Sequence, residues 1–329
     1  MDSKQYILVT GGTGYIGSIT SVYLLKNSSF SPVIIDADTS KKSTKVLEGF
    51  GIPVFKGDIS DPEVIQEIHK KYPFKLVMHF AAFIEAGESV TNPEKYHNNN
   101  VKKFEILLET LKPLGIENFI FSSSAAVYGT HETSIDEDAP KKPESPYGET
   151  KLKGEILLEK FAKENGIKAT SLRYFNAAGA HEEGLLGEDH EPETHLIPRV
   201  IKAIQNKESV KIFGSDHPTK DGTCVRDYIH VVDLAAGHLK ALEYTIKRTE
   251  PGHEAFNLGS GKGFSILEVI KALETVLGRE IEKTFQERRA GDPALLVATV
   301  TKAKEVLGWT AAHDIESIIR AAWNYHTKA

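Results

Sequence analysis

Apolar and polar positions follow two different periods along the first half of the chain. Short β-branched runs predict buried strands at 6–9, 32–35, 53–55, 76–80, 118–121 and 169–172. Between them, apolar residues at helical spacing predict helices at 17–26, 63–71, 101–111 and 147–165. Strands that alternate with helices build βαβ units. The pattern therefore predicts a doubly wound α/β domain whose parallel sheet is covered on both faces.

The pattern changes after Asn176, where loop-like sequence follows and few candidate strands are visible. A second, smaller α/β domain is predicted to begin there. We expect the first domain to span 1–176, with 225–249 returning to it, and the second to comprise 177–224 and 250–329.

Composition narrows the classes of protein that remain. The chain has 329 residues, 40% hydrophobic and 26% charged, which excludes disorder along its whole length. Its net charge of −6 provides no global cationic field, so we expect neither nucleic acid nor a membrane surface as a partner.

Cysteine content and the first residues bear on the compartment. Cys224 is the single cysteine, so no intramolecular disulfide forms and no cysteine-based metal spacing exists. No signal peptide and no apolar run of the ~20 residues that span a bilayer are visible. We expect a cytoplasmic protein without a metal site.

A glycine-rich turn follows the first predicted strand. Gly11, Gly14 and Gly17 stand at three-residue intervals between that strand and a helix. Glycines there allow a tight turn and let backbone N–H groups approach a pyrophosphate. Asp36 closes the second strand, where an acid meets the adenosine ribose hydroxyls and repels the 2′-phosphate of NADP. The pattern predicts a dinucleotide site that prefers NAD.

Three charged residues near this turn have more than one interpretation. Lys41 and Lys42 favour NADP, but their distance from Asp36 along the chain indicates an exposed loop instead. Asp58 follows the third strand and is placed either to accept from the adenine amine or to act as a turn or helix N-cap residue. Both alternatives for Asp58 remain open.

A tyrosine and a lysine four positions apart indicate acid–base chemistry. Ser145 is a good helix N-cap and Pro146 a good first residue, which places Tyr147 in the first turn and Lys151 on the same face. The helix dipole and the lysine ammonium should lower the tyrosine pKa from its usual ~10, giving a general base for an alcohol. Ser124, which follows the fifth strand, can orient that alcohol.

Ordered motifs over nearly the whole chain resemble the extended short-chain dehydrogenase/reductase family, and within it the nucleotide-sugar 4-epimerases. These motifs are TGGTGYIG at 10–17, GD at 57–58, HFAA at 79–82, GESV at 87–90, NNV at 99–101, SSSAAVYG at 122–129, SPYGETK at 145–151, RYFNAAGAH at 173–181, DGTCVRDYIHVVDLA at 221–235, NLGSG at 257–261 and RRAGD at 288–292. An ordered set of this kind is far more specific than any one motif.

The resemblance implies a Rossmann domain that binds NAD and a second domain that binds a UDP-sugar. The implied cofactor-binding residues are Gly11, Gly14, Tyr15, Ile16, Gly17, Asp36, Asp58, Ile59, Phe80, Ala81, Ala82, Asn99, Ser122, Tyr147, Lys151 and Tyr174. Ordinary packing remains the alternative for Asn99 and Tyr174.

The resemblance also implies the reaction, in which UDP-glucose and UDP-galactose are interconverted. The base removes the proton of the sugar 4-hydroxyl while hydride passes from C4 to NAD, and hydride returns to the opposite face of the rotated 4-keto sugar. The implied catalytic residues are Ser124, Tyr147 and Lys151.

A further set would hold the substrate. The implied residues are Ser124, Tyr147, Asn176, His195, Leu196, Phe213, Arg226, Arg289 and Asp292. Guanidinium forks suit phosphate oxygens, although surface ion pairing is the alternative for both arginines and core packing for Phe213.

The chain departs from the family's pattern at several positions. Ala37 and His195 stand where asparagine occurs in other members, and Ile84 stands where many have a lysine near the cofactor. Leu296 falls at the position where side-chain size decides whether N-acetylated sugars are accepted. We therefore expect UDP-glucose and UDP-galactose to be preferred over their N-acetylated analogues.

Other functions remain open at this stage. A 4-epimerase acting on UDP-xylose, UDP-glucuronate or UDP-N-acetylglucosamine, and a nucleotide-sensing regulator without catalysis, are the alternatives. The family also implies a homodimer through the helices at 98–111 and 147–163, although their apolar stripe could equally be internal core.

Overall fold

The computed structural model describes residues 4–288 and 293–328. Its strands, in chain order, are β1 (Gln5–Thr10), β2 (Phe30–Asp36), β3 (Val54–Lys56), β4 (Leu76–His79), β5 (Asn118–Ser124), β6 (Lys168–Tyr174), β7 (Asn176–Ala178), β8 (Val210–Phe213), β9 (Val225–His230), β10 (Gly252–Leu258), β11 (Gly263–Ser265), β12 (Lys283–Gln286) and β13 (Leu295–Leu296). Its α-helices are α1 (Tyr15–Asn27), α2 (Lys42–Gly49), α3 (Pro62–Lys71), α4 (Ala86–Thr91), α5 (Pro93–His97), α6 (Lys103–Leu111), α7 (Pro146–Asn165), α8 (Leu196–Asn206), α9 (Val231–Lys247), α10 (Ile266–Leu277), α11 (Thr301–Leu307) and α12 (Ile315–Thr327). A π-helix, Asn98–Lys102, leads into α6.

A seven-stranded parallel sheet forms the centre of the fold, in the order β10-β6-β5-β4-β1-β2-β3. Along β1, Ile7 and Val9 join the apolar cluster on one face, and Leu8 joins the cluster on the other. Alternate side chains of the strand are therefore buried on opposite faces of the sheet, as is usual for parallel sheets. The predicted doubly wound α/β class is confirmed. Strand order reverses beside β1, so a crevice opens at the carboxyl ends of β1 and β4.

The segments that return to the large sheet differ from those that the sequence predicted. Helix α9 packs on α1, β5 and β6, as expected for 225–249, but β9 belongs to a smaller sheet. The division gave residues 252–258 to the second domain, whereas β10 pairs with β6 as an edge strand of the large sheet. Polar residues such as His253 and Glu254 interrupt its apolar pattern, which is why no strand was predicted there.

The smaller region has more strands than its sequence indicates. Strands β11, β9 and β13 form one sheet, to which β7 adds by pairing with β9, and β12 pairs with β8. Helices α8, α10 and α12 pack around a separate apolar cluster. Among the described residues, no helix has the length and apolar character that crossing a membrane requires.

Candidate active site

The glycine-rich turn lies at the carboxyl end of β1, beside the crevice. Gly11 has a φ of +67°, and a Cβ placed on it would lie 2.6 Å from the backbone nitrogen of Ala81. A Cβ on Gly17 would lie 2.6 Å from the carbonyl oxygen of Gly11. Gly14 is the N-cap of α1 and, lacking a side chain, leaves the first N–H groups of that helix to another acceptor. Such a helix start suits the phosphates of a dinucleotide.

Asp36 lies at the carboxyl end of β2 and is already engaged by its neighbours. Its Oδ2 accepts hydrogen bonds from the backbone N–H and the hydroxyl of Thr13, at 3.1 and 2.6 Å. Lys41 Nζ lies 3.9 Å from Oδ1. Lys41 is exposed, as the sequence indicates, but the loop after β2 folds back over the strand end and brings its ammonium near the carboxylate.

Asp58 forms a turn after β3. Its Oδ1 accepts from the backbone N–H of Ser60 at 2.9 Å and from the Ser60 hydroxyl at 2.7 Å, and its Oδ2 contacts Lys103 Nζ. The N-cap of the following helix is Asp61. The turn interpretation of Asp58 is confirmed, while the adenine contact stays a prediction.

The remaining predicted cofactor residues follow the same sheet edge. They are Tyr15 and Ile16 in the first turn of α1, the buried Ile59 after β3, Phe80, Ala81 and Ala82 after β4, Asn99 in the π-helix, Ser122 in β5 and Tyr174 at the end of β6. Tyr174 is buried and its hydroxyl contacts His238 Nε2.

The first turn of α7 forms as the sequence predicts. Ser145 is the N-cap, and its Oγ accepts from the backbone N–H of Gly148 at 3.1 Å, while Pro146 is the first helical residue. The Tyr147 backbone N–H donates to the Oγ of the buried Ser89 at 3.1 Å. These contacts fix the position of Tyr147 at the start of the helix.

Tyr147, Lys151 and Ser124 are brought together at the carboxyl end of β5. Lys151 Nζ donates to the carbonyl oxygen of Ser122 at 2.8 Å and lies 5.9 Å from the centre of the Tyr147 ring. The Ser124 side chain is close enough to the Tyr147 phenol to lower its pKa. The structure thus assembles the three residues that the sequence predicts to be catalytic.

The electrostatics of this group differ from expectation. Burial raises the pKa of Tyr147 to about 12; the Ser124 side chain opposes this rise and the charge of Glu85 adds to it. Burial also lowers the pKa of Lys151 to about 7, against the opposing charge of Glu155. The expectation that the protein by itself lowers the Tyr147 pKa is wrong, because desolvation of the phenolate outweighs the lowering influence of Ser124.

A buried ion pair that sequence reasoning missed supports this group. Glu155 lies one helical turn after Lys151 and accepts from Arg173 at 2.9 Å (Nε to Oε1) and 2.7 Å (NH2 to Oε2). Ser123 Oγ donates to the same carboxylate at 2.5 Å. Both charged side chains are almost fully buried. The four-residue spacing from Tyr147 through Lys151 to Glu155 is the signal that could have found it.

The predicted substrate residues lie on elements of the smaller region. Asn176 begins β7, His195 is the N-cap of α8, Leu196 is its first residue, Phe213 ends β8, and Arg226 lies in β9. Two further predicted residues, Arg289 and Asp292, lie outside the described residues.

Two neighbours of these residues bear on substrate recognition. The guanidinium carbon of Arg199 lies 5.8 Å from the centre of the Phe213 ring. Leu296 is the parallel partner of Arg226 in the sheet, which places the predicted gating position next to a predicted diphosphate ligand.

Comparisons with known proteins agree with this arrangement. Residues 7–259 match the NAD dependent epimerase/dehydratase family. The chain is 42% identical over 324 residues to a UDP-glucose 4-epimerase from Rhizobium meliloti (strain 1021), covering 98% of this chain and 97% of the relative.

Two solved structures are similar over both regions of the fold. A UDP-glucose 4-epimerase from Brucella ovis in complex with NAD has a TM-score of 0.90 and 40% identity, covering 98% of each chain. One from Bifidobacterium longum in complex with NAD+ and UDP has a TM-score of 0.90 and 37% identity, also covering 98% of each.

Proposed function

The chain belongs to the NAD dependent epimerase/dehydratase family, and we propose that it interconverts UDP-glucose and UDP-galactose with NAD as its cofactor. The observation that carries the proposal is the meeting of Ser124, Tyr147 and Lys151 at the carboxyl edge of the sheet. The glycine turn that starts α1 lies at the same edge. Substrate and product differ only in configuration at C4, so the enzyme is an isomerase and consumes no reducing equivalents.

The residues of the cofactor site fit NAD. Only glycine fits the close backbone packing at Gly11 and Gly17, and the start of α1 has no side-chain cap, which leaves its first N–H groups to a pyrophosphate. Asp36 stays available to ribose hydroxyls through its remaining lone pairs. Bound NAD supplies the hydride acceptor and donor for C4 of the sugar.

Tyr147 is the base for the sugar 4-hydroxyl, and Ser124 orients that hydroxyl by a hydrogen bond. Since the surroundings of Tyr147, chiefly its burial, raise its pKa to about 12, the phenolate needs positive charge close by. The Lys151 ammonium supplies part of it, and an oxidised nicotinamide ring beside the phenol would supply the rest. We therefore expect the base to form only when oxidised cofactor is bound.

The smaller region holds the nucleotide diphosphate. Arg226 is buried in β9, where its guanidinium fork suits phosphate oxygens. At the start of α8 the backbone N–H of Leu196 adds a donor for the same anion, while that of His195 already donates to Glu193 Oε1 at 2.9 Å. Phe213 offers a half-buried ring for the uracil, and Arg289 and Asp292 complete the predicted set.

A homodimer and a cytoplasmic location complete the proposal. The apolar side chains of Ile106 on α6 and Ile156 on α7 are 44% and 57% exposed, which suits a contact with a second copy of the chain. Sedimentation should show a dimer that Ile156→Glu dissociates, whereas Val306→Glu, on the exposed side of α11, leaves it intact. A monomeric wild-type protein would refute the dimer. Cys224 is the single cysteine of the chain and so forms no intramolecular disulfide, which suits a reducing compartment.

The activity is tested with purified protein, UDP-glucose and NAD, with the sugar nucleotides resolved by chromatography over time. UDP-galactose should appear, and Tyr147→Phe should slow its formation by a factor on the order of 10²–10⁴, the usual contribution of a general base. Tyr23→Phe on α1 is the matched control and should retain full activity. Absence of UDP-galactose, or full activity in Tyr147→Phe, would refute the proposal.

A further inference from the structure

Four side chains able to ligate a metal converge in the segment just before α8. Glu188, His190, Glu193 and His195 each present one donor atom, and these atoms all lie within 4.8 Å of one another. We call these four residues the Glu/His cluster. All come from one eight-residue segment, so the fold of this loop alone assembles them.

The two carboxylates of the cluster are buried, and Glu193 Oε1 accepts hydrogen bonds from the backbone N–H groups of Thr194 and His195 at 2.8 and 2.9 Å. The side chains of Glu188 and Glu193 are each 3% exposed. Within residues 4–288 and 293–328, no lysine or arginine forms an ion pair with either of them; their close cationic neighbours are imidazoles. Two buried like charges this close require a compensating cation.

The two imidazoles present their Nδ1 atoms to the carboxylates of the cluster. His195 Nδ1 lies 2.6 Å and His190 Nδ1 lies 3.3 Å from the same oxygen, Glu188 Oε1. Yet both Nδ1 atoms are buried, and neither has a hydrogen-bond partner among the described residues. The donor atoms thus lie side by side. Around a tetrahedral ion with bonds of about 2.0–2.1 Å, neighbouring donor atoms are separated by roughly 3.3 Å.

We propose that Glu188, His190, Glu193 and His195 together bind one divalent transition-metal ion, for which Zn²⁺ is the best match. Two imidazole nitrogens and two carboxylate oxygens suit zinc, and four protein ligands close its coordination sphere. A closed site is structural: the ion balances both carboxylates and fixes the segment that leads into α8. The proposal does not depend on the sugar that the protein converts.

The position of the cluster gives the ion a definite structural role. The rings of His190 and Tyr15 meet edge to face with centres 6.5 Å apart, so the cluster lies against the start of α1. His195 is also the N-cap of α8. The ion would therefore hold the start of α8 against the start of α1. The second ring nitrogen of His195 stays free to donate to an acceptor outside the metal site.

Metal content is the direct test. The full-length protein is stripped with pyridine-2,6-dicarboxylate, dialysed, and titrated with Zn²⁺ in competition with a chromophoric chelator, and metal is counted by mass spectrometry. One equivalent per chain should bind. His190→Gln and Glu193→Gln should each weaken binding at least 100-fold. Glu191→Gln is the matched control: it lies in the same segment, its side chain is 90% exposed, and it should still bind one equivalent.

Three results would overturn the proposal: wild-type protein that binds less than 0.1 equivalent, variants that keep wild-type affinity, or a Co²⁺-loaded protein without the intense visible bands of tetrahedral coordination. The wild-type titration and the Co²⁺ spectrum require no variant, so a variant that fails to fold leaves the test intact. A wild-type protein without metal would mean that protonated imidazoles alone balance the two carboxylates.

Discussion

The buried pair of Glu155 and Arg173 gives the sharpest prediction on stability. Glu155→Gln keeps the shape of the side chain and removes its charge, which leaves the Arg173 guanidinium buried without a counter-charge. The glutamate now accepts two hydrogen bonds from Arg173 and one from Ser123. Removing one partner of a buried pair costs about 3–5 kcal/mol. We expect the free energy of unfolding to fall by that amount.

Urea-induced unfolding followed by circular dichroism measures this change. Glu159→Gln is the matched control, because Glu159 lies one turn further along α7 and is exposed; its effect should stay within about 0.5 kcal/mol. Replacing both partners, as in Glu155→Leu with Arg173→Met, should destabilise less than Glu155→Gln does, since no buried charge remains. A Glu155→Gln protein as stable as Glu159→Gln would refute the reasoning.

The same pair predicts a pH dependence. Burial is the largest single influence on the pKa of Glu155 and raises it, but hydrogen bonds and the charge of Arg173 lower it overall. A carboxyl whose pKa is lower in the folded protein contributes its full stability above the unfolded value, ~4.3, and loses it as pH falls through the folded value. The difference in stability between wild type and Glu155→Gln should therefore shrink below about pH 4. A difference that is constant down to pH 3 would contradict the assigned charge.

Three further predictions concern the cofactor and substrate sites. Gly11→Ala should abolish NAD binding. Gly115→Ala is the control, because Gly115 has the same φ of +67° but open space where a Cβ would lie. This control should bind NAD normally and lose only about 1–2 kcal/mol of stability through backbone strain. Equal NAD binding by the two variants would contradict the close approach at Gly11. Asp36→Asn should reduce the ratio of NAD affinity to NADP affinity at least tenfold, because a carboxylate no longer repels the 2′-phosphate and Lys41 remains nearby. Fluorescence titration measures both affinities, and an unchanged ratio would refute this prediction. Because of Leu296, the kcat/KM for UDP-N-acetylglucosamine should be below that for UDP-glucose. Leu296→Ser should reduce the difference between the two kcat/KM values, and equal turnover of the two sugars by the wild type would refute this prediction.

Local features were predictable from sequence because neighbouring residues determine them. The N-cap Ser145 and the following Pro146 place Tyr147 in a first turn whatever the helix later packs against. The glycine turn is equally local, since the close approach between Gly11 and Gly17 arises within one strand–helix connection.

Features that depend on the tertiary structure were not predictable in the same way. The pKa of Tyr147 is set mainly by burial, which no local pattern shows. Arg173 and Glu155 come from a strand and a helix whose contact only the fold creates. The edge strand β10 has no apolar alternation of its own and is recruited by pairing with β6. A search for cysteine-based metal spacing could not find the Glu/His cluster.

Transient oxidation at C4, with the same hydride returned to the sugar, is the central claim and has a direct isotopic test. UDP-glucose deuterated at C4 is incubated with the purified protein in ordinary water, and the UDP-galactose formed is analysed by mass spectrometry and NMR. The product should keep its deuterium at C4, because the hydride never exchanges with solvent. Loss of the deuterium to water would show that C4 is epimerised by proton exchange and would contradict the account.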